Sequence, residues 1–473
     1  MAVIKKVKHK NPFRPVRNWI GEKPIRLIIS SFVVVILAGA LLLMLPIASQ
    51  SHTSAGFLRA LFVSTSATCV TGLVVVDTAT FWTTFGKVVI ICLIQIGGLG
   101  LVTLTSFFFS VMKKKASLKT RIVTQESIAT PTFADVFTMV RRIVLIVFTV
   151  EFIGAVILTW RFSYRYPFLE ALGKGVFQAI SGFCNAGFDL HGDSISGPFS
   201  SLTTWNNDPI TILTTGLLII IGGLGFIVWT DLIDYRQSHK LAYHSKVVLW
   251  MTGFLLAVGT VSILGLEYSN TASLYSLGSL PVWQRPLAAF FQSLTARTAG
   301  FNSIDQATLH DSSKLITSIL MFIGAAPAST GGGIKCTTFG VIVATIYSDI
   351  RGFEETLLFR HRINREVFTR AMAIMGLALC IVLAAAVAIC IIETAALDQK
   401  IFDMNDVLLE TVSAFGTVGL TSIGTSTLQP ASWAILIPCM FLGRVGPASF
   451  AISLSMKRSK RELVYPEGRT LVG

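Results

Sequence analysis

Long apolar runs without a single Lys, Arg, Asp or Glu alternate with short polar connections along this chain. These uncharged runs are 27–58, 88–112, 209–230, 247–266, 371–392 and 411–443. A helix that crosses a bilayer needs about 20 mainly apolar residues, so each run is long enough to contain one. With Pro, Gly and charges taken as breaks, the pattern predicts eight spans, at about 27–47, 84–112, 139–160, 209–231, 246–267, 315–349, 368–393 and 432–456.

Four shorter apolar stretches lie between pairs of spans and are too short to cross a bilayer. They are about 13–15 residues long and cover 55–69, 170–184, 284–297 and 405–417. Each leads into a similar segment: Ser66-Ala-Thr-Cys-Val-Thr-Gly-Leu73, Ser181-Gly-Phe-Cys-Asn-Ala-Gly-Phe188, Leu294-Thr-Ala-Arg-Thr-Ala-Gly-Phe301 and Ser413-Ala-Phe-Gly-Thr-Val-Gly-Leu420. The glycines of these segments are 115, 113 and 119 residues apart. A unit of span, short helix, glycine loop and span therefore occurs four times.

Four ordinary extracellular turns are the alternative interpretation, because glycine also supplies positive φ in turns. Turns alone do not explain why a short apolar helix precedes every glycine. Backbone that is not helical is tolerated at membrane depth only where it lines a polar cavity or is buried in protein. Four re-entrant loops that meet on one axis satisfy this condition, since their carbonyls can replace the hydration shell of an ion.

The polarity of the short helices favours a cation. Each enters from outside, so its C-terminal end, which carries partial negative charge, faces the centre. No Asp or Glu occurs inside the glycine loops, so selectivity would depend on neutral carbonyl dipoles. This arrangement suits a large, weakly hydrated monovalent cation and argues against a divalent-selective ring of carboxylates.

Composition supports a membrane protein and gives its orientation. The 473 residues are 52% hydrophobic and only 14% charged, which is too little charge to cover the surface of a soluble protein of this size. The net charge of +14 is concentrated in alternate connections, because 28 of the 39 Lys and Arg residues lie in 1–26, 113–142, 231–246, 351–370 and 457–469. The positive-inside rule then places both termini in the cytoplasm, and the charge does not indicate a nucleic-acid partner.

The sixth predicted span is interrupted. Gly324-Ala-Ala-Pro-Ala-Ser-Thr-Gly-Gly-Gly-Ile-Lys335 separates helical patterns at Leu315–Phe322 and Thr337–Tyr347, because Pro and three consecutive glycines oppose a helix. We interpret it as an unwound loop in the membrane on the cytoplasmic side of the glycine loops; a cytoplasmic turn between two short helices is the alternative.

Buried charges near this loop are functional candidates, since a charge at membrane depth is costly unless paired or hydrated. Lys335 ends the loop, and Arg444 lies within the eighth span. We expect Arg444 to reach the axis below the glycine loops and to hydrogen-bond carbonyls of 324–335, where it would help to hold a gate. A purely structural pairing of Arg444 stays open. Glu151 in the third span is interpreted as a structural hydrogen-bonding carboxylate.

The glycine loops and the repeat resemble the Trk/Ktr/HKT superfamily of potassium transporters, over about residues 27–456. The short basic N-terminus is similar to that of Ktr-type membrane subunits (KtrB), because Trk members carry two further N-terminal spans. The resemblance implies an all-α membrane protein of four span–pore helix–span repeats, with eight transmembrane helices and four re-entrant pore helices around a central pore of pseudo-fourfold symmetry. Four filter glycines accompany potassium selectivity in this family.

The resemblance also implies the site residues. Backbone carbonyls that face K+ would come from Val70, Thr71, Gly72, Asn185, Ala186, Gly187, Thr298, Ala299, Gly300, Thr417, Val418 and Gly419. The gate would comprise Gly324, Ala325, Ala326, Pro327, Ala328, Ser329, Thr330, Gly331, Gly332, Gly333, Lys335 and Arg444. Arg297 before the third loop shows that the fourfold symmetry is approximate.

The resemblance divides the chain into cytoplasmic and repeat segments. These are the N-terminal segment 1–26, repeat 1 (27–112), a linker (113–138), repeat 2 (139–235), repeat 3 (236–350), a linker (351–367), repeat 4 (368–456) and the tail 457–473. It further implies a homodimer in the bacterial cell membrane, docked on a cytoplasmic ring of KtrA-type RCK subunits that bind ATP or ADP. K+ is the implied permeant ion, Na+ is a candidate activator, and no organic cofactor is expected in this chain.

Two other functional classes share some of these features or would be compatible with a membrane location. A secondary transporter for another cation or a larger solute also uses broken helices, but it would have paired discontinuous spans in inverted halves. A membrane enzyme would need a convergent acid–base or metal set, and the seven His lie in connections without paired spacing. No Walker A or dinucleotide-binding motif occurs, so nucleotide control would come from another chain. The basic segments 113–121, 351–370 and 457–461 are equally plausible as partner contacts, topogenic charge or lipid contacts.

Overall fold

The computed structural model describes residues 24–100, 136–192, 197–353, 355–359 and 361–446, and these are almost entirely helical. The helices of the first repeat are α1 (Pro24–Leu43), α2 (Phe57–Cys69), α3 (Thr78–Phe81) and α4 (Thr84–Leu99). Those of the second repeat are α5 (Val136–Phe162), α6 (Phe168–Cys184), α7 (Pro209–Leu224) and α8 (Phe226–Ser238). In each of these repeats a predicted short helix, α2 or α6, lies between the helices of two predicted spans, in the order that the sequence predicts.

The second half of the chain repeats this order. The third repeat contains α9 (Tyr243–Glu267), α10 (Arg285–Thr295), α11 (Asp311–Phe322) and α12 (Cys336–Ile350). A small antiparallel hairpin of β1 (Leu357–Leu358) and β2 (His361–Arg362) follows, with Leu357 opposite Arg362. The fourth repeat contains α13 (Arg365–Ile392), α14 (Thr394–Asp398), α15 (Met404–Gly416) and α16 (Pro430–Val445). Short 3-10 turns occur at Pro46–Ala48, Thr203–Trp205, Leu277–Ser279 and Thr425–Thr427.

Four of the described helices, α1, α5, α9 and α13, are long and apolar enough to cross a membrane, and the bent pair α7–α8 makes a fifth if it counts as one span. The helices α4, α12 and α16 are apolar but shorter. The predicted spans 84–112 and 432–456 continue into 101–135 and 447–473, which lie outside the described residues, as do the segments 1–23 and most of the linker 113–138. The count of eight spans therefore stays a prediction.

Many polar residues are buried in this molecule beside its apolar core, and many large apolar side chains are exposed on its surface. The pore-helix residues Ser64, Ser66 and Thr68 are fully buried, whereas Phe152 on α5 and Ile391 on α13 are about 70% exposed (69% and 70%). A water-soluble protein shows the opposite distribution, because exposed large apolar patches are unfavourable in water. The outer surface of the helical bundle is therefore suited to lipid.

The prediction of one uninterrupted span at 209–231 is wrong. The helix divides at Gly225, where φ is 90°, and α7 and α8 are bent by 97°. The backbone of the third repeat occupies the position where the helix would continue, since the Phe226 N–H donates to the Ala328 carbonyl at 2.8 Å. The Ala326 N–H likewise donates to the Gly223 carbonyl at 3.2 Å. The sixth span is therefore not the only broken one among the described residues.

Candidate functional site: a ring of four glycine loops

The four glycine loops share one backbone conformation. The first loop residue has a positive φ in every repeat: 59° at Val70, 58° at Asn185, 70° at Thr298 and 51° at Thr417. The glycine two positions later is again positive: 90° at Gly72, 69° at Gly187, 78° at Gly300 and 99° at Gly419. The residue between them has no positive φ. Because φ changes sign from one loop residue to the next, successive carbonyls can lie on the same side of the loop. In an ordinary β-strand, successive carbonyls alternate between the two sides.

This conformation is strained for the non-glycine residues. Left-handed backbone is unusual for a β-branched residue such as Val70 or Thr417, and each such position costs on the order of 1–3 kcal/mol. Strain of this kind persists only where the surrounding structure determines the conformation. Here it recurs at equivalent positions in all four repeats, which indicates that the loop geometry is needed at the site.

The four glycines form a closed ring. A Cβ atom built on Gly72 would lie 3.0 Å from the Cα atom of Gly187, and one on Gly187 would lie 3.1 Å from the Cα atom of Gly300. One built on Gly300 would contact the Val418 carbonyl, and one on Gly419 would lie 2.9 Å from the Cα atom of Gly72. The order of contacts is therefore the order of the repeats, and it closes on itself. No side chain fits at these positions without displacing a neighbouring loop.

The loop N–H groups are satisfied behind the ring. The Thr71 N–H donates to the Ser66 carbonyl at 2.8 Å, and the Gly72 N–H donates to the Ser66 hydroxyl at 3.1 Å. The fourth loop repeats both bonds, from Val418 at 2.9 Å and from Gly419 at 3.0 Å, to Ser413. These N–H groups are therefore bound within their own repeat, behind the glycines.

An open vestibule of about 60 Å³ lies above the ring and is lined by all four glycines together with Asp77 and Asp189. Asp77 caps α3 by accepting from the Ala79 and Thr80 N–H groups, both at 2.9 Å. Burial raises the pKa of Asp189 to about 6, although its carboxylate accepts a bond from the His191 N–H. Two carboxyl groups at the outer mouth attract cations. Sequence reasoning missed both, since only folding brings these two loops together.

The loop 324–335 lies directly below the ring. A Cβ atom built on Gly331 would contact the Thr298 hydroxyl of the third glycine loop, and one on Gly332 would contact Thr417 of the fourth. The Thr330 hydroxyl donates at 3.2 Å to the carbonyl of Phe183, in the last turn of the second pore helix. The loop thus contacts three of the four pore segments.

The same loop is closed on itself. The Gly324 N–H donates to the Ile334 carbonyl at 2.7 Å, so its two ends are joined. The Lys335 ammonium group donates to the Gly331 carbonyl at 2.8 Å across the loop. A positive charge is therefore bound to a backbone carbonyl within the segment that interrupts the sixth span.

Arg444 joins this loop to another repeat. Its guanidinium donates to the Thr330 carbonyl in the loop and, at 2.5 Å, to the Gly97 carbonyl near the end of α4. A weaker contact at 3.4 Å reaches the Gly98 carbonyl. The ion pairs of the described residues do not include Arg444. Backbone carbonyls therefore provide its hydrogen bonds, across the boundary between repeats 1, 3 and 4.

Three further glycines, which sequence reasoning missed, bring the second spans against the pore helices. A Cβ atom on Gly97 would meet the Thr68 carbonyl, one on Gly222 the Phe183 carbonyl, and one on Gly443 the Phe415 carbonyl. Each of these carbonyls lies four residues before a ring glycine. The signal was present, since Gly97-Gly-Leu-Gly100, Gly222-Gly-Leu-Gly225 and Gly443-Arg-Val-Gly446 share a glycine pair three residues apart. Gly100, Gly225 and Gly446 end their helices, with φ of 78°, 90° and 88°.

Comparison with known sequences agrees with this architecture. The sequence model of the TrkH family, described as "Cation transport protein", matches residues 19–463. The chain belongs to this family. The resemblance found in the sequence is thereby confirmed, and the family is one of transporters rather than enzymes.

Curated relatives of this TrkH family member cover nearly the whole chain. The Ktr system potassium uptake protein B of Bacillus subtilis (strain 168) is 39% identical over 456 residues, which is 96% of this chain and 98% of that protein. The potassium/sodium uptake protein NtpJ of Enterococcus hirae is 35% identical over 452 residues, 95% of this chain and 97% of NtpJ. The crystal structure of the potassium transporter TrkH from Vibrio parahaemolyticus has a TM-score of 0.69 at 14% identity, covering 95% of this chain and 87% of TrkH. At that identity it shows a shared helical membrane fold.

Proposed function

We propose that this protein is the membrane subunit of a potassium uptake system, and that K+ passes through the ring formed by Gly72, Gly187, Gly300 and Gly419. The observation that carries the proposal is the closed order of contacts among these four glycines. Neutral carbonyls of the twelve loop residues named above replace the water around the ion, and no carboxylate lies within the ring. The names of the relatives, which concern potassium or potassium and sodium uptake, agree with this substrate.

The loop 324–335 acts as the gate in this proposal. It lies below the ring and contacts Thr298 and Thr417, so an ion that leaves the ring must displace it. Arg444 holds the closed position through the Thr330 carbonyl, and Lys335 closes the loop on itself. Both cations also repel a permeating cation while they stay near the axis. Opening therefore requires the Arg444 contact to break.

The broken helix at Gly225 helps to distinguish channel-like conduction from the alternative function, which is secondary transport. A secondary transporter for another cation or a larger solute would use paired broken spans, in halves of opposite orientation. The two breaks here occupy the same place, after the pore loop in the second span of repeats 2 and 3. Equivalent positions in repeats of one orientation favour a channel-like pathway.

Assembly and regulation follow from the resemblance. We propose a homodimer in a bacterial cell membrane, with both termini in the cytoplasm and with one pore in each protomer. A cytoplasmic RCK ring that binds ATP or ADP would dock on the basic connections, and Na+ would activate uptake. The name "Ktr system" of the Bacillus subtilis relative agrees with more than one component.

Rubidium uptake into proteoliposomes tests this function. Purified protein should take up Rb+ along its gradient, excess K+ should compete, and excess Na+ should compete weakly. Adding the soluble partner with ATP should raise the rate. Equal competition by K+ and Na+ would contradict a potassium-selective ring, and failure to transport any alkali cation would contradict the proposed function.

A further inference from the structure

A groove on the lipid-facing side of the second repeat contains a buried carboxyl group. It has a volume of about 510 Å³ and lies between α5 and α6. Its walls are apolar and include Phe148, Phe152, Ala155 and Val176. Glu151 lines the same groove, and only 4% of its surface is exposed. Pockets of roughly 300–1,000 Å³ with apolar walls and one or two polar groups are typical of sites for small organic molecules.

The carboxyl group lacks a cation among the residues that the structure describes. The Gln95 amide nitrogen lies 3.1 Å and 3.2 Å from its two oxygens, and the Cys184 thiol lies 4.0 Å from one of them. The ion pairs of the described chain do not include Glu151. A carboxylate in an apolar surrounding is costly unless a positive charge is paired with it. The groove therefore offers a carboxyl group without a cationic partner among the described residues, at the floor of an apolar space.

We propose that this groove binds a small apolar amine, whose ammonium group pairs with Glu151 and whose hydrocarbon body fills the space between α5 and α6. The amine enters from the bilayer as the free base, and the proton of the Glu151 carboxylic acid moves to its nitrogen. An acyl chain of a lipid could fill the same volume, but it would leave the carboxyl group without a cation. Charge complementarity therefore selects an amine over a neutral occupant.

The position of the groove connects it with the conducting pathway. Gln95 precedes Gly97 by two residues in α4, and the Gly97 carbonyl accepts from Arg444. Cys184 is the last residue of α6 and comes directly before the second glycine loop. An amine that competes with Gln95 for Glu151 would therefore bind next to two elements of the proposed pathway. These are α4, where the Gly97 carbonyl accepts from Arg444, and the end of α6, which leads into the second glycine loop. The binding itself is independent of the proposed potassium transport.

Binding can be measured with tritiated 1-adamantanamine on the full chain in lipid nanodiscs, with 1-adamantanol as the neutral competitor of similar shape. We expect saturable binding of one amine per chain, and displacement by the alcohol only at concentrations at least roughly tenfold higher, since a hydrogen bond to a charged group contributes about 1.5–3 kcal/mol. Glu151→Gln should weaken binding by at least roughly tenfold for the same reason. Glu170→Gln, on the exposed side of α6, should leave it unchanged.

A second variant tests the groove itself without changing the carboxyl group. Val176→Trp should fill the groove and abolish binding, whereas Val261→Trp on the lipid-facing side of α9 should not. The proposal is wrong if the wild type shows no saturable binding, or if amine and alcohol bind equally. It is also wrong if Val176→Trp binds like the wild type. Binding that appears only after a dimer is dissociated would show that a second copy covers the groove, and would overturn the proposal as well.

Discussion

The ring of glycine loops and the loop 324–335 below it both expose backbone near the axis, but they differ in copy number and in charge. The ring is built four times from neutral carbonyls, with the same left-handed positions in each repeat. In the described part of the chain the loop occurs once, in the third repeat, and it accepts hydrogen bonds from the charged side chains of Lys335 and Arg444. Recognition of an ion of one size needs equivalent ligands on all sides of the ion. Closing a pathway needs only a single element that can move between a closed and an open position. In the proposed function, this difference separates selectivity, which belongs to the ring, from gating, which belongs to the loop.

The largest expected effect is on selectivity. Gly72→Ser places a Cβ atom 2.6 Å from the Ala186 carbonyl and must displace one quarter of the ring. We expect the preference for Rb+ over Na+ in proteoliposome uptake to fall by at least roughly tenfold, which corresponds to about 1.4 kcal/mol. Gly56→Ser is the matched control, since Gly56 also has a positive φ, of 80°, but has no atom within 4 Å of its Cβ position. Unchanged selectivity in the Gly72 variant would remove the first loop from the filter.

The next effect is on the gate. Arg444→Ala removes the hydrogen bonds to the Thr330 and Gly97 carbonyls. A hydrogen bond from a charged group contributes about 1.5–3 kcal/mol. We therefore expect Rb+ uptake without the soluble partner to rise by roughly tenfold, with the preference over Na+ retained. Arg444→Lys, which keeps the charge but not the fork of donors, should be intermediate. An Arg444→Ala protein with normal uptake and normal activation would show that this arginine is structural.

A smaller effect is expected where the second spans contact the pore helices. Gly443→Ala forces a methyl group against the Phe415 carbonyl, and overpacking of this kind costs about 1–3 kcal/mol. Thermal unfolding in detergent should shift downward by several degrees. Gly376→Ala in α13 has open space at the Cβ position and should be neutral or slightly stabilising. If the two variants melted at the same temperature, the close contact of α16 with the pore helix would be refuted.

The smallest effect concerns the outer mouth. Asp189→Asn removes one carboxylate from the vestibule while keeping its shape. A single charge near the entrance changes the local cation concentration modestly, so the concentration of Rb+ for half-maximal uptake should rise by roughly twofold at low ionic strength. The difference should disappear at high ionic strength, since salt screens exposed charges. A difference that persists in high salt would mean that Asp189 shapes the ring itself rather than attracting cations.

The sequence predicted those parts of the molecule that depend on repetition and on local backbone chemistry. Four glycines at a near-constant period indicated the ring, and Pro327 with three glycines indicated the loop in the sixth span. Both signals come from residues that determine the conformation of their own segment. The short helices before the glycines were predicted to within a few residues for the same reason, because their length and apolar character are local properties.

The parts that escaped prediction depend on contacts between repeats. The break at Gly225 falls within an apolar run and is accompanied by hydrogen bonds to the third repeat. The Gly223 carbonyl accepts from the Ala326 N–H, and the Phe226 N–H donates to the Ala328 carbonyl. Asp77 and Asp189 approach each other only after two outer loops fold over the ring. The glycine pairs in the second spans were visible in the sequence, but their role depends on the pore helix that each of them contacts. Comparing the repeats position by position over their full length would have revealed them.

Diffraction from crystals grown in rubidium would show directly whether the ring binds an ion. Anomalous scattering locates Rb+ without reference to the protein atoms around it. We expect a peak on the axis enclosed by Gly72, Gly187, Gly300 and Gly419, with backbone oxygens of all four loops around it and with weaker occupancy when Na+ replaces Rb+. A ring without rubidium, combined with a strong peak elsewhere in the membrane region, would contradict this expectation.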